Sequence, residues 1–191
     1  MLNKMIDDHI HCLQDLKGMA PELEATGDLL LRCLLAGGKL LICGNGGSAS
    51  DAQHFAAEII GRFEKERRAY PAVALTTDTS ILTAVGNDYG YEEVFARQVE
   101  GLGRPGDILL GISTSGNSPN VVKAVARARA LEINSVGLLG KDGGGLKDLV
   151  DQAIVVQSAT TARIQEAHIF ILHYWAWLIE RGLPSPSGDR E

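Results

Sequence analysis

His54 and Glu58 stand four residues apart in DAQHFAAEII. On a helix, side chains at that spacing leave the same face and can share one ion or pass a proton between them. The same spacing also produces ordinary surface hydrogen bonds, so the pair acquires meaning only with further polar groups nearby. Candidates lie far down the chain in RIQEAHIFILHYW, where Gln165, Glu166, His168 and His173 interrupt an otherwise apolar run. Polar groups on so apolar a helix are costly unless partnered. By spacing alone, His168 is the natural partner of Gln165, and Glu166 lies more nearly over His173. Gln165 and His173 are separated by about 12 Å along a straight helix, near the limit for a shared ion.

Two loops add anion-binding chemistry. GNGGSAS (44–50) has three glycines that let backbone N–H groups approach a ligand closely. It matches neither GxGxxG nor GxxxxGK[ST], which disfavours a dinucleotide or P-loop nucleotide. STSGNSP (113–119) places three serines and a threonine after an apolar run, with Pro119 at a plausible first helical position. One hydroxyl suffices to cap a helix. Four within six residues suit a phosphate held by hydroxyls and amides without a lysine.

These groups need a scaffold. After Gly37-Gly38, five short apolar runs (KLLICG, YPAVALT, DILLGIST, INSVGLLG and QAIVVQS) alternate with helical patterns. Strands covered on both faces read this way, so the expected fold is α/β, a three-layer αβα sandwich around a five-stranded parallel sheet. Helices are expected at 48–62, 79–86, 92–101, 119–131, 145–150 and about 161–181. Two more, broken near Gly18 to Pro21, fill an N-terminal helical segment of about 1–37. No linker divides residues 1–191, so one domain is expected, with a frayed tail at PSPSGDRE. Ligands of such folds bind at the carboxyl ends of the strands.

Composition narrows the class. A chain of 191 residues with 45% apolar content can bury one sizeable core. A formal charge of −6 argues against general nucleic-acid binding, though not against a locally held anion. The apolar runs fall short of a membrane span, and MLNKMIDDHIHC lacks the plan of a signal peptide, so a cytoplasmic location is expected. Cys12, Cys33 and Cys43 form neither an even disulfide framework nor a CxxC pair, and inert buried thiols are expected.

Taken together, CGNGGSASDAQHFAAE, VGNDYGYEEVF, GDILLGISTSGNSPNVVKA and RIQEAHIFILH resemble the phosphoheptose isomerase family of sugar-isomerase (SIS) domain proteins, over nearly the whole chain. The resemblance implies a flavodoxin-like SIS domain and a homotetramer with active sites at subunit interfaces. It also implies interconversion of D-sedoheptulose 7-phosphate and D-glycero-D-manno-heptose 7-phosphate, the first step of ADP-heptose synthesis for lipopolysaccharide or related glycans. The family's zinc ligands, one ion per subunit, fall on His54, Glu58, Gln165 and His173. Its substrate contacts fall on Asn45, Gly46, Gly47, Glu58, Asn87, Asp88, Ser113, Thr114, Ser115, Ser118 and Gln165. Some relatives carry Asp where this chain has Ala162.

Aldose–ketose isomerisation moves one proton between adjacent carbons and another between their oxygens, through an enediolate. Glu58 and His173 are the expected acid–base pair, with zinc as Lewis acid. Other SIS relatives bind the replication initiator DnaA and are not isomerases. They depart at the catalytic Glu, the STSGNS loop and the C-terminal His, all of which this chain retains.

Overall fold

The computed structural model describes residues 1–184. Five parallel strands, β1 (Leu40–Gly44), β2 (Ala72–Ala74), β3 (Ile108–Ser113), β4 (Asn134–Gly140) and β5 (Gln152–Val156), form one sheet in the order β2-β1-β3-β4-β5. The helices are α1 (Leu2–Asp15), α2 (Ala20–Leu35), α3 (Gly47–Ile60), α4 (Thr79–Tyr89), α5 (Val94–Leu102), α6 (Pro119–Ala130) and α7 (Thr161–Gly182).

Alternation along the strands builds two cores. Leu40 and Ile42 of β1 join Leu110 and Ile112 of β3 beneath α2, α3 and α7, where Phe55 and Trp175 are fully buried. Leu41, Cys43 and Leu109 point the other way, against Phe95, Val99, Val121 and Val125 of α5 and α6. Both faces being covered is why these strands are apolar at nearly every position. The result is the expected three-layer sandwich.

Three expected elements differ in detail. The segment assigned to a helix at 145–150 is a 3-10 turn, Gly144–Asp148, because Gly143 and Gly144 both take positive φ and break the α-helical path. The strand expected over YPAVALT shrinks to Ala72–Ala74 at the sheet edge. Helix α4 runs through Gly86 and stops only at Gly90, φ 93°, so Asn87 and Asp88 are helical. The break between α1 and α2 is a 3-10 turn, Leu16–Met19.

Cys12, Cys33 and Cys43 are buried and unpaired, and burial pushes the Cys43 thiol up to about 12. Among the described residues, no helix is long and apolar enough to cross a membrane. The frayed tail expected at PSPSGDRE lies, from residue 185 onward, outside the described residues.

Candidate active site

The strand order places the site. From β1 the chain crosses by α3 to β2 on one side, and from β3 it crosses by α6 to β4 on the other. A crevice therefore opens at the carboxyl ends of β1 and β3, which are neighbours in register with Gly44 opposite Ile112. GNGGSAS leaves one strand and STSGNSP the other, so both candidate anion-binding loops start at the switch point.

Within the first loop, Gly46 has φ 58° and ψ −121°, a conformation closed to most side chains, and it turns β1 into α3. Gly47 is required for a different reason. A Cβ there would overlap the Gln165 amide, 2.8 Å from its Cδ, so the glycine lets α7 bring Gln165 against the loop.

Further along α3, His54 and Glu58 meet His173 of α7. His54 Nε2 lies 3.1 Å from Glu58 Oε1 and 3.0 Å from His173 Nε2. One ligand atom from each of the three residues falls within 4.8 Å of the others. Neutral imidazoles approach Nε2 to Nε2 either as donor and acceptor or around a shared cation. A tetrahedral zinc with bonds of about 2.0–2.1 Å holds its ligand atoms roughly 3.3 Å apart, and two nitrogens with one carboxylate oxygen are a normal zinc donor set. The residues present therefore fit the ion. Gln165 makes no hydrogen bond to these three, and its amide faces the Gly47 backbone instead.

In the second loop the hydroxyls of Ser115 and Ser118 gather around that of Ser113, which is 2% exposed. Its Oγ is 2.9 Å from Ser118 Oγ and 3.5 Å from Ser115 Oγ, and it accepts the Gly116 N–H at 3.1 Å. Ser118 is the N-cap residue of α6, yet its side chain makes no capping bond. Capping thus does not account for that hydroxyl. Pro119 opens α6, whose first turn carries no acidic residue, so the positive end of the helix faces the serines.

Asn87 and Asp88 hydrogen-bond to one another at 2.8 Å on the exposed end of α4, and neither bonds to the two loops among the described residues. Ala162 is exposed in the first turn of α7 and has no polar side-chain atom to offer.

Asn120, Tyr91 and Asp51 were not picked out in sequence, whereas Asn45 was. Asn45 and Asn120 exchange amide hydrogen bonds at 2.9 and 2.8 Å, tying the glycine loop to α6, and Tyr91 Oη donates to Asn45 Oδ1 at 3.4 Å. A cleft of about 370 Å³ lined by Asn45, Tyr91, Glu92, Ser118, Pro119 and Asn120 opens there. The only available signal was that Asn120 directly follows STSGNSP. One turn before His54, Asp51 has a buried Oδ2 without a hydrogen-bond partner, and burial, opposed by His54, pushes its carboxyl up to about 6.

His168, which spacing favoured as partner of Gln165, is fully buried and turned to the sheet. Its Nε2–H donates to the Leu139 carbonyl at 3.1 Å, and Nδ1 is buried without a partner. Burial pulls its pKa down from 6.5 to about 4, with the Leu139 bond opposing. Above pH 6.5 both folded and unfolded chains carry it neutral, so it adds no pH dependence there. Between pH 6.5 and 4 the unfolded chain takes up a proton that the folded chain refuses, and stability falls by up to roughly 3 kcal/mol. Urea midpoints at pH 7 and pH 4.5 are expected to differ less in His168→Gln than in the wild type. Equal acid losses in both would reject this account.

A SIS-domain family model matches residues 6–140. The phosphoheptose isomerase of Campylobacter jejuni subsp. jejuni serotype O:6 is 52% identical over 182 residues, covering 95% of this chain and 98% of the relative. The chain belongs to the phosphoheptose isomerase family. Solved structures agree with that membership: phosphoheptose isomerase GmhA of Neisseria gonorrhoeae superposes with a TM-score of 0.88 at 45% identity, over 94% of this chain and 97% of that one. A phosphoheptose isomerase from Francisella tularensis gives a TM-score of 0.91 at 39% identity, over 94% and 96%. This phosphoheptose isomerase family member is an isomerase with the family's SIS fold.

Proposed function

We propose that this enzyme interconverts D-sedoheptulose 7-phosphate and D-glycero-D-manno-heptose 7-phosphate, as the first step of ADP-heptose synthesis for lipopolysaccharide or related glycans. The observation that carries the reading is the meeting of His54 with Glu58 at 3.1 Å and with His173 at 3.0 Å, on α7 and on the helix α3 that the glycine loop of the switch-point crevice opens.

In this reading Ser113, Thr114, Ser115 and Ser118 hold the 7-phosphate, with the α6 N-terminus adding its field. Asn45, Gly46 and Gly47 hold the sugar, and Gln165, packed on Gly47, lies beside it. Asn87 and Asp88 are assigned hydroxyl contacts on the strength of family likeness. Binding the distant phosphate fixes C1 and C2 before Glu58 and His173. A proton leaves C1 of the ketose, the resulting enediolate is reprotonated at C2, and a second proton passes from the C1 oxygen to the C2 oxygen. Glu58 points Oε1 at His54, and its Oε2 makes no hydrogen bond to a described residue, so Oε2 suits the carbon-to-carbon transfer. His173 suits the oxygen-to-oxygen transfer, because an imidazole both gives and takes protons near neutrality. A zinc ion held by His54, Glu58 and His173, with Gln165 as fourth ligand, would supply Lewis-acid stabilisation of the developing negative charge.

The chain is read as one SIS domain over residues 1–191, cytoplasmic, with one zinc per subunit, acting on a phosphosugar and neither on nucleic acid nor at a membrane. A homotetramer with active sites at its interfaces is part of the proposal. Helix α1 supports it: only Cys12 is buried there, while Met5, Ile6 and Ile10 are exposed on its surface.

The deciding experiment is an assay of sedoheptulose 7-phosphate with zinc added, following the aldose product. No turnover combined with tight binding of DnaA would select the interaction-protein reading instead. Ser115→Ala tests the cradle: KM is expected to rise roughly tenfold or more, the worth of one hydrogen bond to a charged group, with kcat changed less. Unchanged kinetics would count against it.

A further inference from the structure

Two turns beyond His173 on α7, Glu180 is buried and reaches across to the segment that leaves α3. Its Oε1 accepts the Phe63 N–H at 3.0 Å, and its Oε2 accepts those of Glu64 and Lys65 at 2.9 and 2.8 Å. Beside it lies Arg67, with Nε 3.4 Å from Glu180 Oε1 and both side chains 3% exposed. Arg67 gathers the carbonyls at the end of α3, Nη2 donating to Glu58 O at 2.6 Å and Nη1 to Ile59 O at 2.9 Å and Gly61 O at 3.4 Å, and Nη1 also donates to the neighbouring Arg68 O at 3.0 Å.

The pair thus touches both halves of the site from behind. Arg67 holds the backbone of Glu58 itself. Glu180 holds the backbone of Phe63, whose ring lies 5.7 Å from the His173 imidazole at 33°. Burial disfavours the charge on Glu180, but the three N–H donors and Arg67 outweigh it and keep the carboxyl below its ordinary range. A buried ion pair is a poor means of stability alone, since apolar residues of similar volume often serve as well or better. Its ability to take up carbonyls and amides in one fixed arrangement is something apolar residues lack.

We propose that Arg67 and Glu180 are positioning residues for the isomerase reaction, holding Glu58 on α3 and His173 on α7 at the separation the cluster requires. The inference rests on the reading of that cluster as the metal and acid–base site.

Arg67→Met with Glu180→Leu is compared with Glu180→Gln and the wild type for thermal midpoint, zinc affinity by competition with a chromophoric chelator, and kcat and KM separately. The apolar pair leaves the three amides and the carbonyls without partners, so it is expected to lower the midpoint. Zinc affinity and kcat, measured well below that midpoint, are each expected to fall by about tenfold to a hundredfold, as when the supports of metal ligands are lost. KM for the sugar phosphate, set largely at the distant serine loop, is expected to change less than about threefold. Should the apolar pair fail to fold, Glu180→Gln carries the test, with zinc affinity and kcat lowered in a folded protein. Wild-type zinc affinity and kcat in folded variants would overturn the proposal, as would losses that follow the thermal midpoint alone. A wild type that turns over the sugar but binds no zinc would overturn the metal reading, and with it the positioning of a metal site.

Discussion

Glu58→Gln is expected to lower kcat by about 10²–10⁴-fold, the usual contribution of a positioned general base. The substitution keeps the shape of the side chain and its place on α3, where Phe55 and Ile59 of the same helix are buried in the core, so the fold should be unaffected. What it removes is the carboxylate whose Oε1 lies 3.1 Å from His54 and whose second oxygen is unengaged among the described residues. The amide oxygen that replaces it is a far weaker base, and the proton on C1 has nowhere to go. Incorporation of solvent deuterium at the reacting carbons, followed by NMR, should fall in step with kcat while the circular dichroism spectrum stays the same. A folded variant retaining near-wild-type turnover and exchange would remove Glu58 from the acid–base role.

His173→Gln is expected to lower kcat by a similar factor, about 10²–10⁴-fold, and to weaken zinc binding as well. Its Nε2 lies 3.0 Å from His54 Nε2, within reach of a shared cation, and in the proposed reaction it also exchanges protons with the substrate. The two roles separate on titration with zinc. If His173 moves protons, saturating zinc refills the site without restoring kcat. Full recovery of turnover at saturating zinc would leave His173 as a ligand alone, and unimpaired zinc binding would remove it from the ligand set.

How far the site could be read in advance depends on how each residue is positioned. GNGGSAS and STSGNSP were legible because loops after buried apolar strands keep local signatures, glycines for close backbone approach and hydroxyls before a helix-opening proline. The His54–Glu58 pair was legible as a helix face. The gap between Gln165 and His173 was the obstacle, and the structure shows how it is bridged: α3 and α7 run side by side in the same direction. Gln165 meets Gly47, His173 meets His54, and Glu180 meets the segment 63–65, in that order along both helices. Residues too far apart for one another therefore each find a partner at the matching height. His168 was misleading for the complementary reason, since it belongs to the face that packs on the sheet and bonds to Leu139.

The chain's pattern of apolar runs was enough to specify strands buried on both faces, and hence a layered α/β fold, because burial on both sides leaves no polar positions to alternate. Local chemistry likewise specified which loops could hold an anion and that Cys12, Cys33 and Cys43 were interior thiols. Tertiary structure alone decided that β1 and β3 are neighbours, that Asn45 reaches Asn120, and that Arg67 lies against Glu180. These are contacts between residues some 70 to 120 positions apart, formed by strand order and helix packing, and no local periodicity encodes them.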